Sequence, residues 1–223
     1  MFGAIAERYD FLNHFLSVNL DRGWRRACVR EVSRQIKAAS PKILDIGCGT
    51  ADLSIAFSGT GTVTGCDFCH EMLLRGIRKT KVHESRFPVN LLEADALALP
   101  FPDETFDVVV SAFVLRNLAD MRRGLGEMRR VLKPGGVLGI LDFGMPSLPL
   151  IRQVYGFYFL KVLPRVGQWI SGATGPYQYL PSSVQNFPPA EELTEKVAGA
   201  GFRDIRVRRL AAGVAILLTG VRD

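Results

Sequence analysis

Hydrophobic and polar positions change period repeatedly along this chain. Short apolar runs bounded by Gly, Pro or Asp alternate with longer segments whose apolar residues recur every three or four positions. The short runs predict strands over 42–46, 62–66, 89–93, 106–112, 137–142, 202–210 and 214–220. The helical spacing predicts helices over 23–38, 51–57, 69–79, 121–132, 148–163 and 190–200. In the first helix Trp24, Cys28, Val32 and Ile36 form an inner stripe, while Arg26, Arg30, Arg34 and Lys37 lie on another face. Strands alternating with helices predict an α/β, Rossmann-like sheet, mostly parallel, with helices on both faces. Only Ala211-Ala212-Gly213 separates the last two strands. That is too short for a crossover, so these strands are expected to close the seven-stranded sheet as an antiparallel hairpin.

Two segments fall outside this rhythm. Residues 1–20 precede the first sheet element, and residues 144–189 interrupt the sheet between its fifth and sixth strands. The second is rich in Pro, Gly and aromatic residues, among them Tyr177 and Tyr179. Ligands of such sheets sit beyond the carboxyl ends of the strands. These segments are therefore the expected lid and substrate-pocket insertion of one domain spanning 1–223.

Composition narrows the picture. A length of 223 residues with 48% hydrophobic content suits one domain with a large core. The formal charge of +6 and pI near 9.3 permit contact with an anionic membrane or nucleic acid without choosing between them. The four cysteines do not form the framework of a disulfide-rich chain, which points to a reducing cytoplasm. Cys66-Asp67-Phe68-Cys69 has no second pair to complete a zinc site, so no metal is expected. Met1 leads into a mixed polar segment, and no secretory leader is expected.

The most informative chemistry lies in Ile43-Leu44-Asp45-Ile46-Gly47-Cys48-Gly49-Thr50-Ala51-Asp52. A buried strand, a glycine turn and a helix start form the first unit of a nucleotide-type fold. A dinucleotide fingerprint would place a third Gly where Asp52 stands. A carboxylate there disfavours phosphate and suits a ligand bearing positive charge. S-adenosylmethionine (SAM) carries an ammonium, a sulfonium and a ribose, and no phosphate. Gly47, Gly49 and Thr50 follow the first strand. Asp67, after the second, is placed to accept from ribose hydroxyls, with Phe68 beside the adenine. Asp95 and Ala96 follow the third and offer an acceptor for the adenine amino group. Ala112 ends the fourth, next to Phe113, beside the expected methyl group. Ser111 lies one residue earlier and would point to the opposite face.

With these residues the chain resembles a class I SAM-dependent methyltransferase. More narrowly it resembles the ubiquinone/menaquinone biosynthesis C-methyltransferase family, of which demethylmenaquinone methyltransferase is a member. The resemblance rests on Ile5-Ala6-Glu7-Arg8-Tyr9-Asp10-Phe11-Leu12-Asn13, Ala98-Leu99-Pro100-Phe101-Pro102-Asp103, Phe113-Val114-Leu115-Arg116-Asn117 and Tyr177-Gln178-Tyr179-Leu180-Pro181. It implies methyl transfer from SAM to a ring carbon of a polyprenylated quinol, with demethylmenaquinol to menaquinol first and a ubiquinone-pathway benzoquinol as the alternative. It implies SAM contacts at Thr50, Asp67, Asp95 and Ala96. The apolar tail of such a substrate leads one to expect a cytoplasmic enzyme in transient, peripheral contact with the membrane surface; no nucleic-acid partner is expected, because the aromatics do not interleave with a basic run, and a homodimer is allowed. Family members usually begin upstream of Met1, so a shortened start is expected.

A ring carbon becomes nucleophilic when its neighbouring hydroxyl loses a proton. Arg116 is expected to stabilise the resulting phenolate, with Asn117 orienting it and Tyr177 contacting the quinol; an ion pair near the sheet is the competing role for Arg116. Methylation of another small phenol or lipid, and a non-catalytic SAM-binding protein, are the competing functions.

Overall fold

The computed structural model describes residues 19–146 and 187–223, together with Gln153, Gly156 and Val184. The expected lid (up to Val18), the helix over 148–163 (apart from Gln153 and Gly156), Tyr177 and Tyr179 lie outside the described residues. In chain order the elements are α1 (Leu20–Ser33), β1 (Lys42–Ile46), α2 (Asp52–Phe57), β2 (Thr62–Asp67), α3 (His70–Val82), β3 (Val89–Glu93) and β4 (Phe106–Ala112). A short 3₁₀ turn (Leu115–Asn117) follows, then α4 (Met121–Val131), β5 (Leu132–Phe143), α5 (Ala190–Gly199), β6 (Phe202–Leu210) and β7 (Ala215–Arg222).

The seven strands form one sheet in the order β3-β2-β1-β4-β5-β7-β6. The pairs β2·β3, β1·β2, β1·β4 and β4·β5 are parallel, whereas β7 runs antiparallel to both β5 and β6. The short Ala211–Gly213 link forces that hairpin, as expected. Strand order reverses between β1 and β4, so the chain leaves these two neighbours in opposite directions and opens a crevice at their carboxyl ends.

Side-chain alternation in the strands feeds a core on each face. Leu44, Ile46, Val109, Leu138 and Ile140 pack with Met128 and Val131 of α4 and Leu193 and Val197 of α5. Ile43, Val108, Val110 and Val137 pack with Trp24, Cys28 and Val32 of α1 and Leu53 and Phe57 of α2. The inner stripe of α1 is buried at Trp24, Cys28 and Val32, while Arg26, Arg30 and Arg34 are exposed.

Two elements depart most from the periodicity. Helix α1 starts at Leu20 and stops at Ser33, because Gln35 and Ile36 tighten into bonds with Val32 O and Ser33 O. Gln35 Nε2 then donates to Glu31 O and Thr219 Oγ1, tying the helix end to the sheet. Strand β5 starts at Leu132, which pairs with Phe106 before a register shift. The Lys133-Pro134-Gly135-Gly136 turn is thus a bulge within the ladder, with Gly135 at φ 74°. All four cysteines are buried, unpaired thiols, and burial pushes Cys28 and Cys66 up to about 12. Among the described residues no helix is long and apolar enough to cross a membrane.

Candidate active site

The glycine turn shapes the crevice. Gly47 and Gly49 have φ of 67° and 54°, in the left-handed region where a Cβ is disfavoured. At Gly47 space forbids one as well, since a Cβ would lie 2.3 Å from Val114 Cγ2. Ala51, at φ 69°, takes the same conformation without being glycine and lets α2 start directly under the turn. Backbone from β1 and from the loop after β4 can therefore approach each other closely.

A cavity of about 240 Å³ lies on one side of this turn. Gly47, Gly49, Asp67, Phe68, Asp95, Ala96, Ala112 and Asn117 all line it, as do Met72, Leu97 and Phe113. Seven of the eight residues expected to hold the cofactor thus meet around one space. Strand periodicity accounts for Ala112 being there and Ser111 not: the Ser111 hydroxyl points away and donates to Ile46 O at 3.1 Å.

Asp67 is fixed by backbone donors. The Gly49 N–H donates to Oδ2 at 2.8 Å and the Cys69 N–H to Oδ1 at 2.9 Å. Each oxygen keeps a lone pair for a further donor, the arrangement a ribose diol needs. Burial raises the pKa of this carboxyl, and the same amide bonds oppose that rise. Asp95 Oδ1 accepts from the Leu97 N–H at 2.8 Å, which folds the chain back over the cavity. That wall is clasped from α4. Arg123 Nε donates to Leu97 O, Glu127 accepts from the Leu99 N–H, and Arg130 donates to Leu99 O and Phe101 O. Phe68 is 68% exposed at the cavity rim, an unusual position for a large aromatic ring.

Thr50, the eighth, turns the other way. It lines a smaller cavity of about 40 Å³ with Arg25, Asp45, Asp52 and Phe113, and that cavity shares Gly47, Gly49, Ala112 and Phe113 with the larger one. Thr50 Oγ1 accepts from Lys79 Nζ at 3.2 Å. Asp52 pairs with Lys79 and with Arg25, the latter at 3.7 Å.

Two residues that the motifs do not single out, Asp45 and Arg25, give this smaller cavity its chemistry. Asp45 is 1% exposed; Ser54 Oγ donates to its Oδ2 at 2.6 Å, but its Oδ1 has no partner. Burial pushes the Asp45 carboxyl up to about 7, against the Ser54 hydrogen bond and the Arg25 charge, which lower it. Arg25 pairs with Asp21 and sits over the Phe113 ring at 5.6 Å, while its buried Nε has no partner. A space lined by both charge signs, with an unpaired donor and an unpaired acceptor, fits a zwitterionic amino-acid head such as that of SAM. The sequence does carry a signal for Asp45, a carboxylate inside the otherwise apolar β1. Arg25 has none, being one of several arginines on α1.

Arg116 does not line either cavity. Its guanidinium donates to Asp142 Oδ1 at 2.6 Å, the two side chains being 6% and 0% exposed. It also lies over the Phe143 ring at 5.0 Å and the Phe113 ring at 6.0 Å. The Asp142 carboxylate further accepts from the Phe143 N–H at 2.8 Å. Asn117 Nδ2 donates to Phe113 O at 3.2 Å. Phe113 itself has φ 64°, a strained conformation for an aromatic residue, at the point where β4 gives way to the 3₁₀ turn.

Comparison with known proteins agrees with this geometry. A SAM-dependent methyltransferase from Thermotoga maritima, described as a possible histamine N-methyltransferase, superimposes with a TM-score of 0.70 over 100% of this chain and 98% of its own, at 18% identity, which establishes the fold. The demethylmenaquinone methyltransferase of Thermus thermophilus is 45% identical over 225 residues, covering 100% of both chains. That of Deinococcus radiodurans is 43% identical over 224 residues, covering 99% of this chain and 90% of its own. The sequence model of the ubiE/COQ5 methyltransferase family matches residues 1–222. A glycine turn without phosphate chemistry, two strand-end acids around one cavity and this full-length match lead to one conclusion: the chain belongs to the ubiE/COQ5 methyltransferase family and is a SAM-dependent methyltransferase.

Proposed function

We propose that this enzyme methylates a ring carbon of a polyprenylated quinol, with demethylmenaquinol as substrate and menaquinol as product. The observation that carries this reading is the end-to-end identity of 43–45% with relatives named demethylmenaquinone methyltransferase. A benzoquinol of the ubiquinone pathway is the second substrate to test. A relative from Geotalea daltonii, 40% identical over 224 residues, is named for both pathways.

SAM, when bound, supplies an electrophilic methyl on a sulfonium. Asp67 would hold the ribose and the 95–97 turn the adenine. Asp45 would take the ammonium and Arg25 the carboxylate. Ala112 and Phe113 would then flank the methyl, and the small Ala side chain leaves room for a ring to approach in line. On the quinol, the hydroxyl next to the reacting carbon would lose its proton and the ring carbon would form the new C–C bond as the sulfonium C–S bond breaks and S-adenosylhomocysteine leaves; the ring hydrogen would then leave as a proton and the oxygen regain one, restoring the aromatic hydroxyl with one net proton released. Holding that approach in a dry cleft is the main catalytic contribution.

The Asp142 carboxylate cancels most of the Arg116 charge that a phenolate would feel. We therefore assign Arg116 to positioning. With Asp142 it fixes the 115–117 turn, which presents Asn117 to the cavity and keeps Phe113 in its strained conformation. Tyr177 contacts the quinol in this reading. Because a polyprenyl tail partitions into the bilayer, the enzyme works in peripheral contact with the membrane.

The test is anaerobic incubation with methyl-labelled SAM and short-tailed demethylmenaquinol or demethylated benzoquinol, followed by mass spectrometry. Label on the naphthoquinol ring carbon is expected. SAM binding without ring methylation of either quinol would refute the reading.

A further inference from the structure

Arg22, Arg26, Arg30 and Arg34 follow one another at every fourth position of α1 and its C-cap, and all four are exposed. Residues four apart share one helix face, so the row spans about 18 Å at 1.5 Å per residue. Among the described residues Arg22, Arg26 and Arg30 form no ion pair, and Arg34 shares Glu31 with Arg208. Arg30 in the last turn and Arg34 at the C-cap suit the negative end of the helix dipole, but helix stability does not account for Arg22 and Arg26. Like charges four apart repel, and Arg22 stands in the first turn, at the positive end of the helix dipole.

The row is continuous with basic positions on the sheet edge. In β6, Arg206 and Arg208 stand opposite Thr219 and Leu217 of β7. Thr219 is bonded by Gln35 and Leu217 packs in the α1-side core, so these two arginines share the face that carries α1. The remaining basic residues of β6 differ: Arg203 pairs with Asp204 and Asp223, and Arg209 with Glu191 of α5. Arg22, Arg26, Arg30 and Arg206 thus stand on the α1 side without an ion pair among the described residues, while Arg208 shares Glu31 with Arg34.

That side reaches the site. The N-terminal turns of α1 place Trp24 6.3 Å from the ring of Phe113, which lines both cavities, and Arg25 over that ring, in the wall of the smaller one. We propose that the α1 face, Arg22, Arg26 and Arg30 with Arg206 and Arg208 beside them, is a docking surface for an anionic lipid bilayer. The choice of a bilayer over nucleic acid rests on the quinol reading above; among the described residues no exposed aromatic stands between these arginines, as base stacking would use. Docking along this face sets the crevice mouth next to the lipid headgroups.

The experiment is vesicle co-sedimentation of the full chain, using phosphatidylcholine with and without phosphatidylglycerol. It is run at low salt and at roughly 1 M salt, where screening shortens to about 3 Å. One variant carries Arg22→Gln, Arg26→Gln and Arg30→Gln; a control carries Lys196→Gln, Arg203→Gln and Arg209→Gln, which removes the same charge from residues already paired elsewhere. Each cation near an anionic surface contributes about fivefold in partitioning, so the α1 triple should weaken binding to phosphatidylglycerol vesicles roughly 100-fold and the control little. Circular dichroism checks the fold of both. Wild-type protein that ignores phosphatidylglycerol, or equal loss in both triples, would overturn the proposal. Tighter binding to single-stranded RNA than to vesicles, with the same dependence on the α1 arginines, would overturn it in favour of nucleic acid. Methylation of a tail-free, water-soluble demethylated quinol is measured in parallel. The α1 triple should retain it, so loss of vesicle binding with that activity intact separates this proposal from the catalytic reading.

Discussion

Replacing Asp45 by Asn tests the site where the structure is most explicit. In the free protein burial raises this carboxyl from 3.8 to about 7, and its Oδ1 has no hydrogen-bond partner. An ammonium bound there supplies the missing partner and pulls the pKa down, so SAM binding expels the Asp45 proton wherever the free group holds one. At pH 6 that amounts to about 0.9 proton per SAM for a group titrating near 7. The α-amino group of SAM is itself protonated below about 7.7, so it adds nothing at that pH. Affinity should then fall roughly 15-fold between pH 7 and pH 5.5. Isothermal titration calorimetry in buffers of different ionisation enthalpy reads both quantities. Asp45→Asn should bind more weakly at pH 7 and lose both the slope and the proton release. A wild-type affinity flat from pH 5.5 to 7, or an Asn variant with an unchanged slope, would refute the assignment. The free protein provides a second check. Because the folded pKa is the higher one, the native state holds the extra proton between pH 4 and 7, and stability falls as pH rises through that window. The upper limit is about 4 kcal/mol, and denaturant melts of Asp45→Asn should lack this loss.

Other substitutions probe the surrounding geometry. Gly47→Ala sets a methyl group 2.3 Å from Val114 at φ 67°, and should destabilise the chain by about 1–3 kcal/mol and abolish SAM binding; wild-type thermal stability would count against the close packing of the turn. Asp142→Asn leaves Arg116 charged and buried without its counter-ion, so a loss of about 3–5 kcal/mol is expected in urea melts, and Arg116→Lys should restore neither stability nor turnover. Arg130→Ala releases Leu99 O and Phe101 O behind the expected adenine wall; KM for SAM should rise about tenfold with kcat nearly unchanged, and the opposite split would place Arg130 nearer the chemistry.

Much of the fold was written in local pattern. Apolar runs located β1, β3, β4 and β6 to the residue, because a strand buried on one or both faces must show its period in sequence. The four-residue link before β7 dictated an antiparallel hairpin, since no crossover fits in it. The Gly47–Gly49 turn, the acid at Asp67 and the acid at Asp95 each follow a strand end, and parallel strands bring those ends to one edge, so their meeting around one cavity was legible too. Tertiary structure decided the remainder. Thr50 follows the same turn, but left-handed Ala51 turns the chain so that it faces Lys79 and the smaller cavity. Arg116 stands only three residues beyond Phe113, yet its role depends on Asp142, which lies 26 residues further along and is brought within 2.6 Å by the pairing of β4 with β5. Asp45 and Arg25 come from elements that touch only after the sheet is covered, and what makes them chemically active is burial. Sequence fixes which residues carry charge. Only the folded chain decides which of those charges lose water, and that loss is what makes an ordinary carboxylate or guanidinium a binding group.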